Sequence, residues 1–224
     1  MTSTGLRAGL VASLRASGVL RDDAVARALE AVPREVFLSG GFSRPDGTWV
    51  TEADEDFLTI ANSNSTLTTK IENGIGTSSS SQPSLMAVML ECLNVRPGMR
   101  VLEIGTGTGY NAALLAALGA RVTSVEVQPD VAERCRSALV AAGADEVEVV
   151  VGDGYDGFPR GAPYDRLIAT VGVAGVPGGW LDQLSPDGFA IVPIYHGVLG
   201  NHDRGSWPVY LRLAADRGLT DPRA

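Results

Sequence analysis

The sequence contains few of the residues that most often carry acid–base or metal chemistry. Only two cysteines and two histidines occur among 224 residues. Cys92 and Cys135 lie in segments that we predict to be helical, and we expect small buried side chains, not a disulfide or metal-binding pair. His196 and His202 are too few, and too far from other ligands, for a metal site. We therefore expect that no metal is bound.

Basic clusters and long apolar runs are missing as well. Lys and Arg total 18 against 26 Asp and Glu, which gives a net charge of −8, and the basic residues are dispersed. Because phosphate binding requires a basic surface, we expect no nucleic-acid partner. No apolar run approaches the roughly 20 residues that cross a bilayer, and the N-terminus carries no signal-peptide core. We expect a cytoplasmic protein with no membrane partner.

The most informative stretch of the chain is a glycine-rich turn between two apolar segments. The apolar run 100–104 ends in three glycines at alternate positions, Gly105, Gly107 and Gly109, and a helix-compatible stretch follows over 111–118. This order is typical of a buried parallel strand, a tight turn and a crossover helix. The glycines allow the backbone to approach a ligand where a Cβ atom would collide with it.

The spacing of these glycines separates two kinds of ligand. A dinucleotide fingerprint, G-x-G-x-x-G, requires glycine at position 110, where this chain has Tyr110. The observed G-x-G-x-G, with Glu103 two residues before the first glycine, resembles the first motif of S-adenosylmethionine-dependent methyltransferases. Glu103 would suit a cationic amino group better than a phosphate, which needs a helix N-terminus. Taken alone, the turn is also compatible with another ligand or with none.

The pattern of strands and helices predicts the fold class. Apolar strands are predicted near 100–104, 121–126, 147–151, 165–171 and 188–193, with helices between most of them and a further strand near 207–213. Alternating strands and helices predict an α/β fold, a Rossmann-like, doubly wound, mostly parallel sheet. We expect residues 1–95 to form an N-terminal helical and loop extension, 96–195 the Rossmann-like core, and 196–224 a C-terminal strand and tail packed on the core.

Acidic residues occur at three consecutive strand ends, where a parallel sheet of this kind binds its ligands. Glu103 lies in the first strand, Glu126 ends the second, and Asp153 lies between Gly152 and Gly154 after the third. Glu126 follows Gly105 by 21 residues, which suits an acid that accepts hydrogen bonds from ribose hydroxyls. Asp153 could bind an adenine amino group. A solvated strand end is the alternative for Glu126.

The first 95 residues carry weaker signals. We predict a helical pair, with Gly18 ending the first helix and Asp22 or Asp23 capping the second. Residues 39–77 predict a long loop with a small hairpin, which is either a lid or substrate-binding segment or a disordered linker. The serines at 78–81 predict a flexible capped turn before a helix that begins at Pro83. Asp130 is predicted to cap the helix that ends near residue 142.

Over residues 17–194 the chain resembles the protein-L-isoaspartate O-methyltransferase family. The motifs that carry the resemblance are Ala31-Val32-Pro33-Arg34-Glu35-Val36-Phe37, Ser81-Gln82-Pro83 with Met86-Ala87, Val101–Tyr110, Gly152-Asp153-Gly154, Pro163-Tyr164-Asp165, Pro177, Gln183-Leu184 and Val192-Pro193. Their combined order is specific, because a generic methyltransferase would share only the glycine turn.

The resemblance implies a class I S-adenosylmethionine-dependent methyltransferase, a peptide or protein substrate that carries Asp or isoaspartate, and a monomer. It implies that Ser81 is the active-site residue and that substrate contacts come from Ser81, Gln82 and Val171. The cofactor-binding residues that it implies are Ser78, Ser79, Ser80, Ser81, Glu103, Gly105, Thr106, Gly107, Gly109, Glu126, Val127, Gly152, Asp153 and Gly154.

The chain departs from the family pattern in the segments expected to face the substrate. Ser84 and Met86 stand where histidines are frequent, residues 50–73 are acidic and polar, and the usual glycine-rich tail is replaced over 196–202. These differences resemble the branch that tailors ribosomally made peptides, namely lanthipeptides, lasso peptides and graspetides, by methylating an aspartate and promoting aspartimide formation. Repair of isoaspartate is the competing hypothesis. A non-catalytic peptide-binding module and a dehydrogenase are the alternatives from other classes.

Overall fold

The computed structural model describes residues 2–44, 46–173, 175–194, 209–214 and 218–220. The helices are α1 (Ser3–Ala16), α2 (Asp23–Ala31), α3 (Phe57–Ala61), α4 (Pro83–Leu93), α5 (Tyr110–Ala117), α6 (Pro129–Ala141) and α7 (Gly178–Asp182). The strands are β1 (Phe42–Ser43), β2 (Trp49–Val50), β3 (Leu67–Glu72), β4 (Ile75–Ser80), β5 (Arg100–Ile104), β6 (Arg121–Glu126), β7 (Glu148–Val151), β8 (Tyr164–Ala169), β9 (Leu184–Ile194), β10 (Val209–Ala214) and β11 (Gly218–Thr220).

Seven of these strands form the main sheet, in the order β11-β10-β9-β8-β5-β6-β7. The five strands from β9 to β7 in this order pair in parallel, whereas β10 and β11 are antiparallel additions beside β9. The predicted parallel sheet is therefore confirmed. The crossovers place β5, β6 and β7 side by side, so their carboxyl ends form one edge, as the positions of the three acids require.

Both faces of the sheet are covered. Along β5, Val101 packs into the core formed with α1, α2, α4, α5 and α6, whereas Leu102 and Ile104 pack into the opposite core around Trp180 of α7. This alternation follows from the two-residue period of a strand. It also explains why β5 reads as an almost continuous apolar run, since a strand buried on both faces needs no polar side.

A second sheet, β2-β1-β3-β4, occupies the segment between α2 and α4. The expected hairpin is present as β3 and β4, but it belongs to a folded unit with its own core, so the disordered-linker alternative is wrong. The buried side chains of this core are Leu38, Phe42, Val50, Phe57, Ala61 and Leu67. The predicted flexible turn at 78–81 is also wrong for its first three residues, because Ser78, Ser79 and Ser80 are strand residues paired with β3.

The predicted helix ends are partly confirmed. Asp22 is the N-cap of α2, where its carboxylate accepts hydrogen bonds from the backbone N–H groups of Ala24 and Val25, and Gly18 lies just beyond the end of α1. Asp130 does not cap α6: the cap is Gln128, Pro129 is the first helical residue, and the Asp130 carboxylate binds Lys70 instead.

The remaining sequence predictions concern thiols, metals, membranes and the tail. Cys92 is half-buried and Cys135 is buried, and the structure describes no disulfide between them. Among the described residues there is no group of three or more His, Cys, Asp and Glu side chains that could hold a metal, and no helix with the length and apolar character to cross a membrane. The segment 196–202, including His196 and His202, lies outside the described residues.

Candidate active site

The glycine turn that follows β5 is held between the ends of two neighbouring strands. The backbone N–H groups of Gly105 and Thr106 donate to the Val125 carbonyl of β6, at 2.9 and 3.2 Å. On the other side the Thr170 hydroxyl, just after β8, donates to the Gly105 carbonyl at 2.5 Å. Gly105 has φ +91°, and a Cβ atom there would overlap the Val171 side chain. Glycine is therefore required at this position on two grounds, backbone conformation and space.

Glu126 connects this turn to the end of β6. Its Oε2 accepts a hydrogen bond from the Gly107 N–H at 2.9 Å, and its Oε1 accepts one from the Gln128 N–H at 3.0 Å. The backbone carbonyl of Glu126 accepts a hydrogen bond from the Gly152 N–H at 2.9 Å. This bond holds the loop that follows β7 next to the end of β6. Glu126 lies at the carboxyl end of β6 and is only 5% exposed.

Asp153 lies at the next strand end and is exposed. Its carboxylate accepts a hydrogen bond from the Tyr155 N–H at 2.9 Å and so caps a short 3₁₀ turn. Two buried side chains fix this loop from behind: Trp180 Nε1 donates to the Gly154 carbonyl, and Gln183 Nε2 donates to the Asp156 carbonyl, both at 2.8 Å. The Asp153 position is therefore rigidly supported.

Apolar side chains are exposed around these two acids. Val127, Val151, Tyr155 and Val171 all retain more than a third of their surface in contact with solvent. They lie beside the ends of β6, β7 and β8, the three strands that also position Glu126, Asp153 and the glycine turn. An edge that combines carboxylates with exposed apolar surface suits a flat heterocycle joined to a hydroxylated sugar.

Glu103 occupies a different position from the one expected of a ligand-binding acid. It is fully buried, its Oε1 accepts from Asn111 Nδ2 at 2.7 Å, and its Oε2 accepts from the Ser124 hydroxyl at 2.5 Å. The Ser124 oxygen lies 2.7 Å from the Thr106 hydroxyl. Glu103 thus supports the glycine turn from the buried side, through Ser124 and Thr106. Its carboxylate does not reach the solvent-exposed side of the turn, where a ligand would bind. Burial raises the pKa of its carboxyl group to about 7.

The serine strand β4 passes directly over the glycine turn. A Cβ atom at Gly107 would lie 3.4 Å from the Ser79 carbonyl oxygen and 3.9 Å from the Ser78 hydroxyl. Ser80 is buried and points away, toward Arg34, whereas Ser81 and Gln82 are half-buried just before α4. Within the described residues, no group is hydrogen-bonded to the Ser81 hydroxyl. The strand brings the predicted active-site segment next to the predicted cofactor turn.

Lys70 and Gln128 hold the β3–β4 hairpin on the main sheet. Lys70 Nζ of β3 donates to Asp130 Oδ1 at 2.8 Å and to Gln128 Oε1 at 2.9 Å. The Gln128 amide also donates to the Thr77 carbonyl of β4 at 3.0 Å. Both contacts lie within a few residues of Glu126, so the hairpin and the acid at the end of β6 are mechanically connected.

Several residues of this site were absent from the sequence-based prediction. Thr170 and Gln128 bind the turn and the hairpin, and Asn111 binds Glu103. Asn111 carried a usable signal, because it is a polar residue inside the otherwise apolar α5. Arg34 carried no such signal, because charged residues are frequent in the helical pair before it and its partners lie 27 to 47 residues away.

The fold and the glycine turn define the architecture of class I S-adenosylmethionine-dependent methyltransferases. A solved protein-L-isoaspartate O-methyltransferase, 35% identical in sequence, superposes with a TM-score of 0.73 over 92% of this chain and 59% of that one. A structure from Plasmodium falciparum that is assigned to the same enzymes, in complex with S-adenosyl-L-homocysteine, shares the fold at 17% identity, with a TM-score of 0.72 over 96% of this chain and 92% of that one.

The chain belongs to the protein-L-isoaspartate(D-aspartate) O-methyltransferase family, whose model matches residues 6–204. A relative from Hyperthermus butylicus, named protein-L-isoaspartate O-methyltransferase, is 36% identical over 84% of this chain and 74% of that protein. A relative of the same name from Methanoculleus marisnigri is 51% identical, and this match spans about half of each protein, 51% of this chain and 52% of the relative.

Proposed function

We propose that the chain is an S-adenosylmethionine-dependent methyltransferase that esterifies the free carboxylate of isoaspartyl residues in peptides or proteins. The observation that carries this proposal is the position of the serine strand, whose Ser79 carbonyl lies against Gly107 of the cofactor-type turn. Family membership supports the same reaction. The names of the relatives favour isoaspartate methylation over the narrower hypothesis of ribosomal peptide tailoring.

The residues present fit an adenosyl ligand with an amino-acid tail. Glu126 would hold the ribose hydroxyls, Asp153 the adenine amino group, and exposed Val127 would cover one face of the base. The turn at Gly105–Gly109 leaves the backbone uncovered for the amino-acid tail, since side chains there would fill the space beside Val171 and Ser79. Glu103 would act through Thr106 and Ser124, by holding the shape of the turn.

Methyl transfer from S-adenosylmethionine requires little acid–base help from the protein. When bound, this cofactor supplies a methyl group on a cationic sulfur, and the electron pair of the breaking carbon–sulfur bond stays on that sulfur. A substrate carboxylate with a pKa near ~4 is already ionised at neutral pH and needs no general base. A site whose described residues include no histidine is therefore sufficient for this reaction.

The protein's contribution is placement of the carboxylate. Ser81 would donate a hydrogen bond that orients one carboxylate oxygen, while Gln82 and Val171 border the space in front of the turn. Alignment of the two reactants can contribute up to ~7–11 kcal/mol in favourable cases. After transfer, the following backbone nitrogen of the ester product can attack the carbonyl, close a succinimide and release methanol. That ring closure requires no further residue of this chain.

Transfer to matched peptides tests the proposal. The full chain is incubated with methyl-labelled S-adenosylmethionine and three peptides that differ at one position: isoaspartate, aspartate or alanine. We expect label on the isoaspartyl peptide only. Transfer to the aspartyl peptide alone would contradict the proposal and support the peptide-tailoring hypothesis instead. Calorimetric binding of S-adenosylhomocysteine without transfer to any peptide would indicate a binding module, and binding of NAD instead would indicate a dehydrogenase.

A further inference from the structure

Arg34 is a buried cation whose hydrogen-bond acceptors, among the residues that the structure describes, are all neutral. It begins the 3₁₀ turn Arg34–Leu38 and is 1% exposed. Its guanidinium N–H groups donate to five backbone carbonyls and one hydroxyl at distances of 2.9 to 3.3 Å. The acceptors are the carbonyls of Ala61, Ser63, Ser65, Ser80 and Ser81 and the Ser80 hydroxyl.

Among the described residues, no carboxylate lies within ion-pair distance of Arg34. The ring of Tyr110 lies beneath the guanidinium, with 5.9 Å from Cζ to the ring centroid. Burial lowers the pKa of Arg34 to about 10, so the side chain remains charged at neutral pH. A buried charge without a counter-ion is costly, and such charges are normally paired. The guanidinium charge is therefore solvated by hydrogen bonds alone and is not neutralised by any carboxylate that the structure describes.

The acceptors of Arg34 belong to two segments that meet at the active site. Ala61, Ser63 and Ser65 link α3 to β3, and Ser80 and Ser81 lie between β4 and α4. Tyr110, under the guanidinium, is the first residue of α5 after the glycine turn. One side chain thus joins the start of the hairpin, the Ser81 peptide and the cofactor turn. The fixed fork of the guanidinium, with five donors, allows this in a way that a lysine cannot.

We propose that Arg34 is the positioning residue of the reaction: it fixes the Ser81 peptide through its carbonyl and supplies the uncompensated positive charge that favours a carboxylate substrate at Ser81. This inference rests on the proposed function. The two roles separate kinetically. The negative charge of the carboxylate decreases as its oxygen bonds to the methyl group, so a nearby cation stabilises bound substrate more than the transition state. Charge should therefore affect KM, and placement should affect kcat.

Two Arg34 variants and one matched control separate these roles. Arg34→Lys keeps the charge without the fork, and Arg34→Gln removes the charge but keeps two donors. We expect kcat to fall about tenfold or more in both, with KM for the isoaspartyl peptide raised about tenfold only in Arg34→Gln. Arg166→Lys is the control, because Arg166 is also buried, bonded to backbone carbonyls and stacked on a ring, that of Phe189, but lies at the opposite end of the sheet strands. It should lose stability and keep both kinetic constants.

Hydrogen exchange provides a readout that does not depend on turnover. At a temperature where all variants are folded, backbone amides over 78–82 and 61–65 should exchange faster in both Arg34 variants than in Arg166→Lys. If exchange and kcat match those of the control, the proposal is wrong. An equal rise of KM in Arg34→Lys and Arg34→Gln would overturn the charge role. Should the wild-type chain transfer no methyl group, the proposed function fails, while exchange alone still decides whether Arg34 fixes the Ser81 segment.

Discussion

Glu126 and Gly107 are 19 residues apart in the chain and are joined by a hydrogen bond of 2.9 Å from the Gly107 N–H to the Glu126 carboxylate. The acid proposed to hold the ribose therefore also sets the shape of the turn proposed to hold the amino-acid tail. We expect Glu126→Gln to weaken S-adenosylhomocysteine binding about 10- to 100-fold, because hydrogen bonds to a charged group contribute about 1.5–3 kcal/mol each.

Isothermal calorimetry measures this effect, with Glu146→Gln as control. Glu146 is exposed between α6 and β7, at the end of the strand opposite to Asp153. Equal affinities for the two variants would remove Glu126 from the cofactor site.

Ser81→Ala should lower turnover far more than cofactor affinity. The Ser81 hydroxyl has no bonded partner among the described residues, so its removal leaves the fold intact and deletes only the donor available to the substrate carboxylate. Loss of such a hydrogen bond corresponds to a decrease in kcat of about 10- to 100-fold, with the S-adenosylhomocysteine Kd unchanged.

Steady-state kinetics and calorimetry on the same preparation test this expectation. Ser17→Ala is the matched serine variant, because the Ser17 hydroxyl donates to the Leu14 carbonyl at the end of α1, away from the glycine turn. Wild-type turnover in Ser81→Ala would exclude Ser81 from the mechanism.

Glu103 should make the protein less stable as the pH rises. Its carboxyl pKa is about 7 in the folded protein, against 4.5 for an ordinary glutamate, and burial is the main cause. Between these values the folded state binds more protons than the unfolded state. The stabilisation is therefore complete below pH 4.5 and is lost as the pH rises through 7. The associated change in the free energy of unfolding is on the order of 3 kcal/mol.

Glu103→Gln should remove this part of the pH dependence. An amide can bond both Asn111 and Ser124 without ionising, so the variant should equal or exceed wild-type stability at pH 8. The free energy of unfolding is measured by urea denaturation between pH 4.5 and 8, and Glu148→Gln serves as the control variant. Parallel pH profiles for Glu103→Gln and wild type would contradict the prediction.

Gly105→Ala should damage the site beyond the strain of its backbone. Gly105 and Gly143 both have positive φ, +91° and +72°, so alanine at either position carries a strain of roughly 1–2 kcal/mol. Only at Gly105 does the new Cβ overlap a side chain, that of Val171, whereas the space at Gly143 is open.

Gly143→Ala should therefore lower only the stability. Gly105→Ala should lower the stability and also weaken cofactor binding by tenfold or more. Adding Val171→Ala to Gly105→Ala should recover part of the thermal stability, because the overlap is relieved. The measurements are thermal unfolding and calorimetry. Indistinguishable behaviour of the two glycine variants would show that the close packing of the turn is unimportant.

Lys70→Met should loosen the β3–β4 hairpin from the main sheet. Lys70 of β3 bonds Asp130 and Gln128 at the start of α6, and its hydrogen bond to Asp130 is the main cause of its raised pKa. The same contact lowers the pKa of Asp130, so its stabilisation is complete above the ordinary aspartate pKa and is lost as the pH falls through the lowered pKa of the folded protein. High salt should weaken it as well.

Hydrogen exchange over residues 67–80 measures hairpin docking. We expect faster exchange in Lys70→Met, and faster exchange in the wild type at 1 M salt but no salt effect in the variant. Arg134→Met serves as control, since Arg134 meets Asp130 from within the same helix, at 3.4 Å. Unchanged exchange in Lys70→Met would assign the docking to other contacts.

The sequence predicts the central part of the fold because its signals are local. β5, the glycine turn and α5 are contiguous, and parallel strands necessarily bring Glu126 and Asp153 to one edge. Glu103 could have been placed more accurately from the two-residue period, since it shares a strand face with Val101, whose side chain packs under the helices. The contacts of Arg34 and Lys70 could not be predicted, because they join segments tens of residues apart. Ser78–Ser80 form a strand only through pairing with β3, against the weak intrinsic preference of serine.

Tyr110, which stands where a dinucleotide fingerprint has its last glycine, has a consequence for how the chain can be divided. Its ring is 1% exposed and is covered by Phe37, at 5.7 Å between ring centroids, and by Arg34. Both covering residues precede the Rossmann-like core in the chain. Excision of that core on its own would expose the Tyr110 ring directly beside the glycine turn. The segment that contains Arg34 and Phe37 therefore has to accompany the core in any shortened form of the protein.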